Sequence, residues 1–355
     1  MGAFKEGEVV VVVEEADDIV RATVSVGGSE IAVVGYPFML GSLRPGDRVV
    51  VNTTGLDLDL GTGGAGFILW NLDGPGPPGP RDGHIVKLRY TPWQTEVAAV
   101  EAQESRHHQR LAELETIDGR PVVVASLHSQ VAAIAAGVKA QNPKARVGYL
   151  MTDGGALPLA WSNLVRELRR ANLIDVSCTC GHAFGGDLEA VNVFSGLAAL
   201  RVAGEADVTI AAMGPGVVGT GSALGFTGME QGQVLDAVAA LGGTGIAALR
   251  ISFADPRARH HGVSHHSLTA LRLAARERAT VVVPELPDDQ DEVVRRQLQE
   301  AGIPDRHQVV TVGGSAGLST LEERDVHPTS MGRSVAQVPE LFLAGAAAGH
   351  HAASL

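Results

Sequence analysis

The sequence is poor in aromatic residues, cysteine and net positive charge, and each shortage excludes a class of protein. Aromatic residues make up 4% of the 355 residues, so the cores must be built from small aliphatic side chains. The two cysteines, Cys178 and Cys180, are too close in sequence for an easy disulfide, which favours a reducing compartment. A formal net charge of -12 repels phosphate backbones, so we expect no nucleic-acid partner.

Membrane and targeting features are missing as well. No apolar stretch approaches the ~20 uncharged residues of a membrane span, so we expect no membrane partner. The first residues show no basic segment followed by an apolar one, so the sequence predicts no signal peptide and a cytoplasmic location. A G-x-S-x-G elbow and a Walker A lysine are also missing, which argues against a serine hydrolase and a P-loop kinase.

What is present indicates two domains, because 355 residues exceed one ordinary core. Residues 8–72 alternate short valine-rich runs with turn sequences, and Gly27-Gly28 marks a hairpin. Pro45-Gly46-Asp47 turns the chain into a further valine strand at 48–52. We therefore predict an N-terminal all-β, barrel-like domain over residues 1–115.

From Pro121 onward the chain alternates strand and helix patterns. Such alternation predicts a doubly wound, mostly parallel α/β three-layer domain of Rossmann-like type over residues 116–355. The predicted strands cover residues 122–125, 146–151, 174–180, 207–213, 245–253, 280–283 and 308–312. Ligands of such sheets bind beyond the carboxyl ends of the strands, so those ends hold the candidate site residues.

A glycine-rich loop follows the fourth predicted strand. Gly214, Gly216 and Gly219 fit G-x-G-x-x-G, but no helix is plausible before about residue 229 and the acidic partner of a dinucleotide site is missing. We therefore expect a small anionic ligand rather than NAD, bound by Gly214, Gly216, Gly219, Thr220 and Gly221. The alternative is a long packed crossover whose glycines serve tight turns.

Other strand ends supply ionisable groups. His128 follows the first strand, and Asp153-Gly154-Gly155 follows the second. His128, Asp153 and His265 are the candidate catalytic residues, and Gly154, Gly155 and Ser264 the further candidate ligand-binding residues. The alternative is structural, because Asp-Gly-Gly is an ordinary turn and a buried histidine commonly serves packing.

Four histidines lie within seven residues, at positions 260, 261, 265 and 266. His260, His261 and His265 are candidate metal ligands, and a carboxylate or His128 would complete the set. The carboxylates considered for this place are Asp153, Asp187 and Asp255. Ser264 is a good N-cap, and the helix it begins disfavours protonation of nearby imidazoles. The alternative is a surface loop with solvated or capping histidines, since H-E-x-x-H is absent.

Four segments also carry a resemblance: residues 99–105, the loop at 213–221, the cluster at 262–266 and Met331-Gly332-Arg333. In these segments the chain resembles an uncharacterised bacterial family catalogued as a domain of unknown function. The resemblance covers most of the chain and implies no activity.

Three hypotheses follow from these patterns. The first is an enzyme that binds a small anionic ligand, phosphorylated or a nucleotide, at the carboxyl ends of the strands. The second is a metal-dependent hydrolase that uses the histidine loop. The third is a non-catalytic binding or assembly protein. The sequence leaves a divalent metal or a nucleotide as the candidate cofactor. We also expect a homo-oligomer, and a dimer before any larger assembly.

Overall fold

The computed structural model describes residues 4–59, 64–76 and 83–355 and divides the chain into two compact units. The division falls between Val97 and Ala98, whereas the sequence analysis placed it after residue 115. Residues 98–115 therefore belong to the second unit. Each unit has its own elements and core, described separately below.

The first unit is built around a closed five-stranded barrel, as predicted. Its elements are β1 (Phe4–Glu15), β2 (Val20–Val26), β3 (Ser29–Gly35), α1 (Pro37–Leu40), β4 (Arg48–Asn52), α2 (Thr54–Asp57), β5 (Gly66–Asn71), β6 (Ile85–Lys87) and β7 (Thr95–Val97). The barrel strands follow the order β1-β2-β3-β5-β4, and β4 pairs with β1 to close it. β6 and β7 form a separate antiparallel pair.

Alternation of valines explains the barrel core. Val20, Ala22 and Val24 point inward from β2, and Val49 and Val51 do the same from β4. Gly27 and Gly28 both have positive φ, which is the backbone that a two-residue hairpin between β2 and β3 requires. Register shifts within β1 bend this long strand, so that it pairs with both β2 and β4.

The second unit alternates strands and helices. Its elements are α3 (His108–Ala112), β8 (Pro121–Val124), α4 (Gln130–Gln141), β9 (Val147–Thr152), α5 (Asn163–Arg170), β10 (Val176–Thr179), β11 (Leu188–Glu189), α6 (Val193–Val202), β12 (Val208–Met213), α7 (Glu230–Ala240), β13 (Thr244–Ala248), β14 (Ile251–Ser252), β15 (Gly262–Val263), α8 (His265–Thr269), β16 (Thr280–Pro284), α9 (Asp288–Glu300), β17 (Gln308–Val312), α10 (Ser315–Glu323), β18 (Thr329–Ser330), β19 (Arg333–Ser334) and α11 (Pro339–Ala353).

Eight of these strands form one parallel sheet in the order β11-β10-β9-β12-β8-β13-β16-β17. The seven predicted strands all contribute to it. The eighth, β11, lies between the predicted strands at 174–180 and 207–213, and the helix that follows it begins at Val193. The predicted strand at 245–253 is also shorter, because the chain leaves the sheet after Ala248 and forms β14.

Helices cover both faces of the sheet, and the face on which successive helices pack changes at the centre of the sheet, between β8 and β12. α4 and α11 pack on one face with Val123 of β8, and α6 and α7 pack on the other with Val122 and Val124. The helix after β8 and the helix after the neighbouring β12 thus lie on opposite faces. Parallel sheets with such a change of side bind ligands in the crevice outside the carboxyl ends of the two strands.

The small-residue helix α11 is explained by packing within the chain. Gly137 of α4 lies against the backbone of Ala346, and Gly349 of α11 lies against the backbone of Ile134, so that added β-carbons would overlap these backbones. Ten of its fifteen residues are buried, and they supply part of one core. In residues 4–59, 64–76 and 83–355, no helix is long and apolar enough to cross a bilayer.

Candidate functional site

Three histidines come together beyond the carboxyl end of β13. The ring centroids of His260, His265 and His266 lie 4.3–5.1 Å apart. Each ring offers one nitrogen, and these three nitrogens lie within 4.8 Å of one another. We call His260, His265 and His266 the histidine cluster.

Local chain geometry assembles the cluster. β14 and β15 form a short antiparallel ribbon that returns the chain to the sheet, with His260 just before its second strand. Ser264 then caps α8, as predicted, because its Oγ accepts a hydrogen bond from the backbone N–H of His266. The same Oγ lies 2.7 Å from Nδ1 of His260. One serine thereby fixes both the start of the helix and the orientation of a cluster ring.

A π-helical turn, Ala270–Ala274, directly follows α8. π-helical turns are rare and frequently occur at functional sites. Ala270 and Leu271 of this turn are buried, and Leu271 belongs to the core that α6 and α7 share. The turn therefore anchors the short helix that carries two of the three histidines.

Burial holds the cluster rings in their neutral form. Desolvation, followed by the charge of Arg250, lowers the pKa of His260 to about 4. Desolvation and the neighbouring His265 lower the pKa of His266 to about 3, and desolvation with the charge of Arg259 lowers the pKa of His265. Neutral imidazoles both accept hydrogen bonds and ligate metals. Nε2 of His265 is enclosed and has no hydrogen-bond partner.

Arginines surround the histidine cluster. The buried guanidinium of Arg250 reaches within 3.4 Å of Nδ1 of His266. Burial lowers the pKa of Arg250 to about 10, Asp255 partly offsets this, and Arg257, Arg259 and Arg333 lower it further. The buried carboxyl of Asp255 accepts two side-chain hydrogen bonds from Arg257, at 2.9 and 2.7 Å, which hold its pKa well below the usual range.

The glycine loop, residues 214–221, continues to the edge of the cluster. Phe226, just after it, stacks on His266 with ring centroids 4.0 Å apart, and meets His265 edge-on at 5.8 Å. Gly219 forms an isolated bridge with Phe226, and a β-carbon on Gly219 would lie 3.7 Å from Cε1 of His266. The loop thus folds back as a short hairpin whose base contacts the histidines.

Close backbone packing accounts for several glycines in the predicted ligand set. A β-carbon on Gly155 would overlap the carbonyl of Gly214, and one on Gly214 would overlap the carbonyl of Ala156. Gly216 and Gly221 have positive φ. The hydroxyl of Thr220 donates a hydrogen bond to the carbonyl of Gly225 within the hairpin. These contacts give a structural reason for the glycine pattern, whatever ligand the loop meets.

Two carboxyl groups, those of Glu230 and Asp153, lie near the carboxyl end of β9. Oγ1 of Thr152 donates a hydrogen bond of 2.6 Å to Oε1 of Glu230, the first residue of α7. Desolvation, reinforced by the charge of Asp153, raises the pKa of Glu230 to about 7. Asp153 itself is exposed and accepts the backbone N–H of His182 at 3.0 Å. Gly154 is needed between them, because its β-carbon would lie 2.6 Å from Oε2 of Glu230.

His128 lies in a fully hydrogen-bonded environment. Its Nδ1 is 3.0 Å from the hydroxyl of Tyr149, and its Nε2 is 2.7 Å from Oγ of Ser162, the cap of α5. Burial lowers its pKa to about 4. Because both ring nitrogens are hydrogen-bonded, His128 connects the end of β8 with β9 and α5.

The remaining metal candidates lie outside the histidine cluster. His261 is exposed and packs edge-on against Phe253, with ring centroids 5.2 Å apart. His266 takes its place, because the β14–β15 ribbon turns His260 and α8 toward each other and leaves His261 on the outer side. Asp187 binds Arg169 and the hydroxyl of Ser177, so it serves the sheet. Both cysteines are buried in the core.

Sequence reasoning did not select four residues of this edge: Phe226, Glu230, Arg250 and His266. Arg250 had a usable signal, because it is a charged residue inside the apolar stretch predicted as a strand at 245–253, and His266 stood beside a selected histidine. Glu230 and Phe226 had none, since their partners Thr152 and His266 lie 78 and 40 residues away in the sequence.

The sequence matches one known family of proteins. A family model described as "Protein of unknown function (DUF3866)" matches residues 32–349. No curated protein and no solved structure matches the chain. Because the model spans nearly the whole chain, including every residue of the edge described above, this chain belongs to that family of proteins of unknown function.

Proposed function

We propose that the protein binds a small anionic ligand, phosphorylated or a nucleotide, between the histidine cluster and the glycine loop. The observation that carries the proposal is the buried Arg250, which stands among three neutral histidines with one carboxyl group, Asp255, to offset its charge. A buried cation with so little compensation is costly, and an anion would supply the missing charge.

The chemistry of the lining fits such a ligand. An arginine fork binds phosphate and carboxylate groups through paired N–H donors. Neutral imidazoles add donors without adding charge. The crevice between the loops of β8 and β12 is where parallel sheets of this kind hold ligands. The glycine loop would cover the ligand through its hairpin, with Phe226 held in place by its stack on His266.

Acid–base chemistry belongs to the same proposal. Glu230, with its pKa of about 7, holds a proton that it can exchange near neutral pH. His265 offers an enclosed Nε2 without a partner, and Asp153 supplies an exposed carboxylate beside Glu230. We assign Glu230 and Asp153 to proton transfer, His265 to binding, and His128 to positioning.

Ligand-dependent unfolding tests the binding step. Chelator-treated protein is melted with inorganic phosphate, pyrophosphate, sugar phosphates and nucleotides. A ligand present at 100 times its Kd should raise the free energy of unfolding by about 2.7 kcal/mol. If none of these anions changes the melting temperature of the folded protein, the proposal is contradicted.

Arginine variants locate the binding. Arg259→Ala removes an exposed cation beside the cluster, and we expect it to weaken binding about threefold to tenfold. Arg250→Lys keeps the charge but loses the fork, and we expect a loss of about tenfold or more. The matched control is Arg110→Ala, which removes an exposed arginine from α3, a helix that packs on α6, and it should leave the affinity unchanged.

A further inference from the structure

The geometry points to a divalent metal site formed by His260, His265 and His266, which would take zinc or a similar transition metal. The inference deepens the anion proposal, because the metal would share its edge of the sheet. Within residues 4–59, 64–76 and 83–355, this is the one place where three histidine, cysteine or carboxylate side chains bring ligand atoms this close.

The donor set suits such a metal. Zinc binds imidazole nitrogens at about 2.0–2.1 Å in a tetrahedron, and three histidines with one open position are a recurring catalytic arrangement. Ring nitrogens already within 4.8 Å of one another need only a small inward shift to reach this geometry. Two of the three rings, those of His260 and His266, are buried. Their positions are therefore fixed before a metal arrives.

Two contacts around the cluster support coordination. Ser264 Oγ lies 2.7 Å from Nδ1 of His260, which is the outer hydrogen bond that orients a metal-ligating imidazole. Nε2 of His265 is enclosed and has no partner among the protein atoms. An enclosed nitrogen without a partner costs free energy, and coordination would remove that cost.

The arginines limit what else the metal binds. Arg250 lies 3.4 Å from Nδ1 of His266 and repels a bare cation, while Asp255, at 3.9 Å from Arg250, offsets part of that charge. The favoured fourth ligand is therefore an anion, which would contact both the metal and the arginine side. This class of ligand is the one that the proposed function requires.

Metal content and cobalt spectra test the site. Untagged protein is grown with zinc, purified in sodium chloride buffer without phosphate, and analysed for metals. We expect about one zinc ion per chain. After chelation, Co²⁺ should restore the site and give the intense visible bands of a four-coordinate ion. Zinc far below one per chain, with no cobalt bands on reconstitution, would overturn the inference.

Neighbouring histidine variants decide whether these residues hold the metal. His265→Ala should abolish the cobalt bands, and His261→Ala, which alters an exposed histidine in the same loop, should retain them. Equal metal content in both variants, or loss in His261→Ala alone, would contradict the assignment. His265→Asn is a second variant of similar shape, and circular dichroism confirms that each variant is folded.

The two proposals fail separately. Anion binding is measured in chelated protein, and metal binding is measured without phosphate or nucleotide. Binding of anions without metal would retain the proposed function and overturn this inference. Binding of metal without any anion response would do the opposite.

Discussion

Two carboxyl groups at the same edge of the sheet, one buried and one half-buried, are held in opposite states. Glu230, on the β9 side, has a pKa raised to about 7, because it is desolvated and stands near the carboxylate of Asp153. Asp255, on the β13 side, has a pKa held well below its usual range by the hydrogen bonds of Arg257. The two environments differ in the charge of the neighbour rather than in burial alone.

The difference divides the edge by chemistry. The Asp255 side carries Arg250, Arg257 and the histidine cluster. Its arginines suit an anion, and its neutral histidines suit a metal ion. The Glu230 side holds a proton that is exchangeable near neutral pH and has no arginine among the causes of its pKa shift. A substrate that bridged the two sides would place its anionic group at Arg250 and its reacting group near Glu230.

The largest expected effect comes from removing the anion of the Asp255 side. Asp255→Asn leaves the buried Arg250 without an opposite charge and breaks the paired bonds to Arg257. We expect the free energy of unfolding at pH 7 to fall by about 3 kcal/mol, at the lower end for a broken buried pair because Arg257 is partly exposed. Urea unfolding measures the change.

A matched exposed pair sets the baseline for that measurement. Asp325 bonds to His327, and both side chains are largely exposed. Asp325→Asn should hardly change stability, since exposed pairs contribute little and asparagine tolerates the positive φ of this residue. If Asp255→Asn were as mild as Asp325→Asn, the buried arginine would not need its carboxylate, and the contrast between the two sides would be lost.

The Glu230 side should show the opposite dependence on pH. The pKa of Glu230 is higher in the folded than in the unfolded chain, so its contribution to stability is fully present below about pH 4.5. That contribution is lost as pH rises through about 7. Because burial raises this pKa from 4.5 to about 7, the cost at higher pH approaches about 3 kcal/mol.

Glu230→Gln removes this titration while keeping an oxygen for Thr152 Oγ1. Between about pH 5 and about pH 8.5, the wild-type stability should fall more steeply than that of the variant. Urea unfolding at several pH values gives the two slopes. Glu292→Gln changes an exposed glutamate on α9 and should keep the wild-type slope. Parallel profiles for wild type and Glu230→Gln would show that Glu230 is charged in the folded protein.

The sequence predicted the architecture better than it predicted the site. Valine alternation and turn residues sufficed for the barrel and for seven strands of the parallel sheet, because these patterns are local. β11 was not predicted, because two residues are too few to show the alternation of a strand and the chain around them contains helix formers. The Ser264 cap was predicted correctly, since a cap needs only its own three following residues.

Candidate site residues depended on contacts that no local pattern contains. Glycines in the loop after β12 suggested ligand contact, but Gly155 and Gly214 are also required where two backbones meet. The sequence around His261 and His266 does not show which of the two joins the histidine cluster. The turn of the β14–β15 ribbon decides this, because it places His266 inside the cluster and His261 outside it. Burial raises the pKa of Glu230, Thr152 lowers it and Asp153 raises it, and these two neighbours are distant in sequence.

The smallest expected effect compares two serine–histidine pairs. Ser264 caps α8 and bonds Nδ1 of His260, while Ser162 caps α5 and bonds Nε2 of His128. Each serine replaced by alanine loses a cap, which costs about 1 kcal/mol. Ser162→Ala should cost about 1 kcal/mol more, because it leaves a nitrogen of the buried His128 without a partner. Ser264→Ala removes a partner of His260 in the same way, but its cap bond to the backbone is longer, 3.3 Å against 3.1 Å for Ser162, so we expect it to cost somewhat less. Urea unfolding of both variants, with and without added zinc, measures the difference.

Zinc should stabilise Ser264→Ala less than wild type and should stabilise Ser162→Ala as it does wild type. Equal responses of the two variants to zinc would show that the Ser264–His260 bond does not orient a metal ligand.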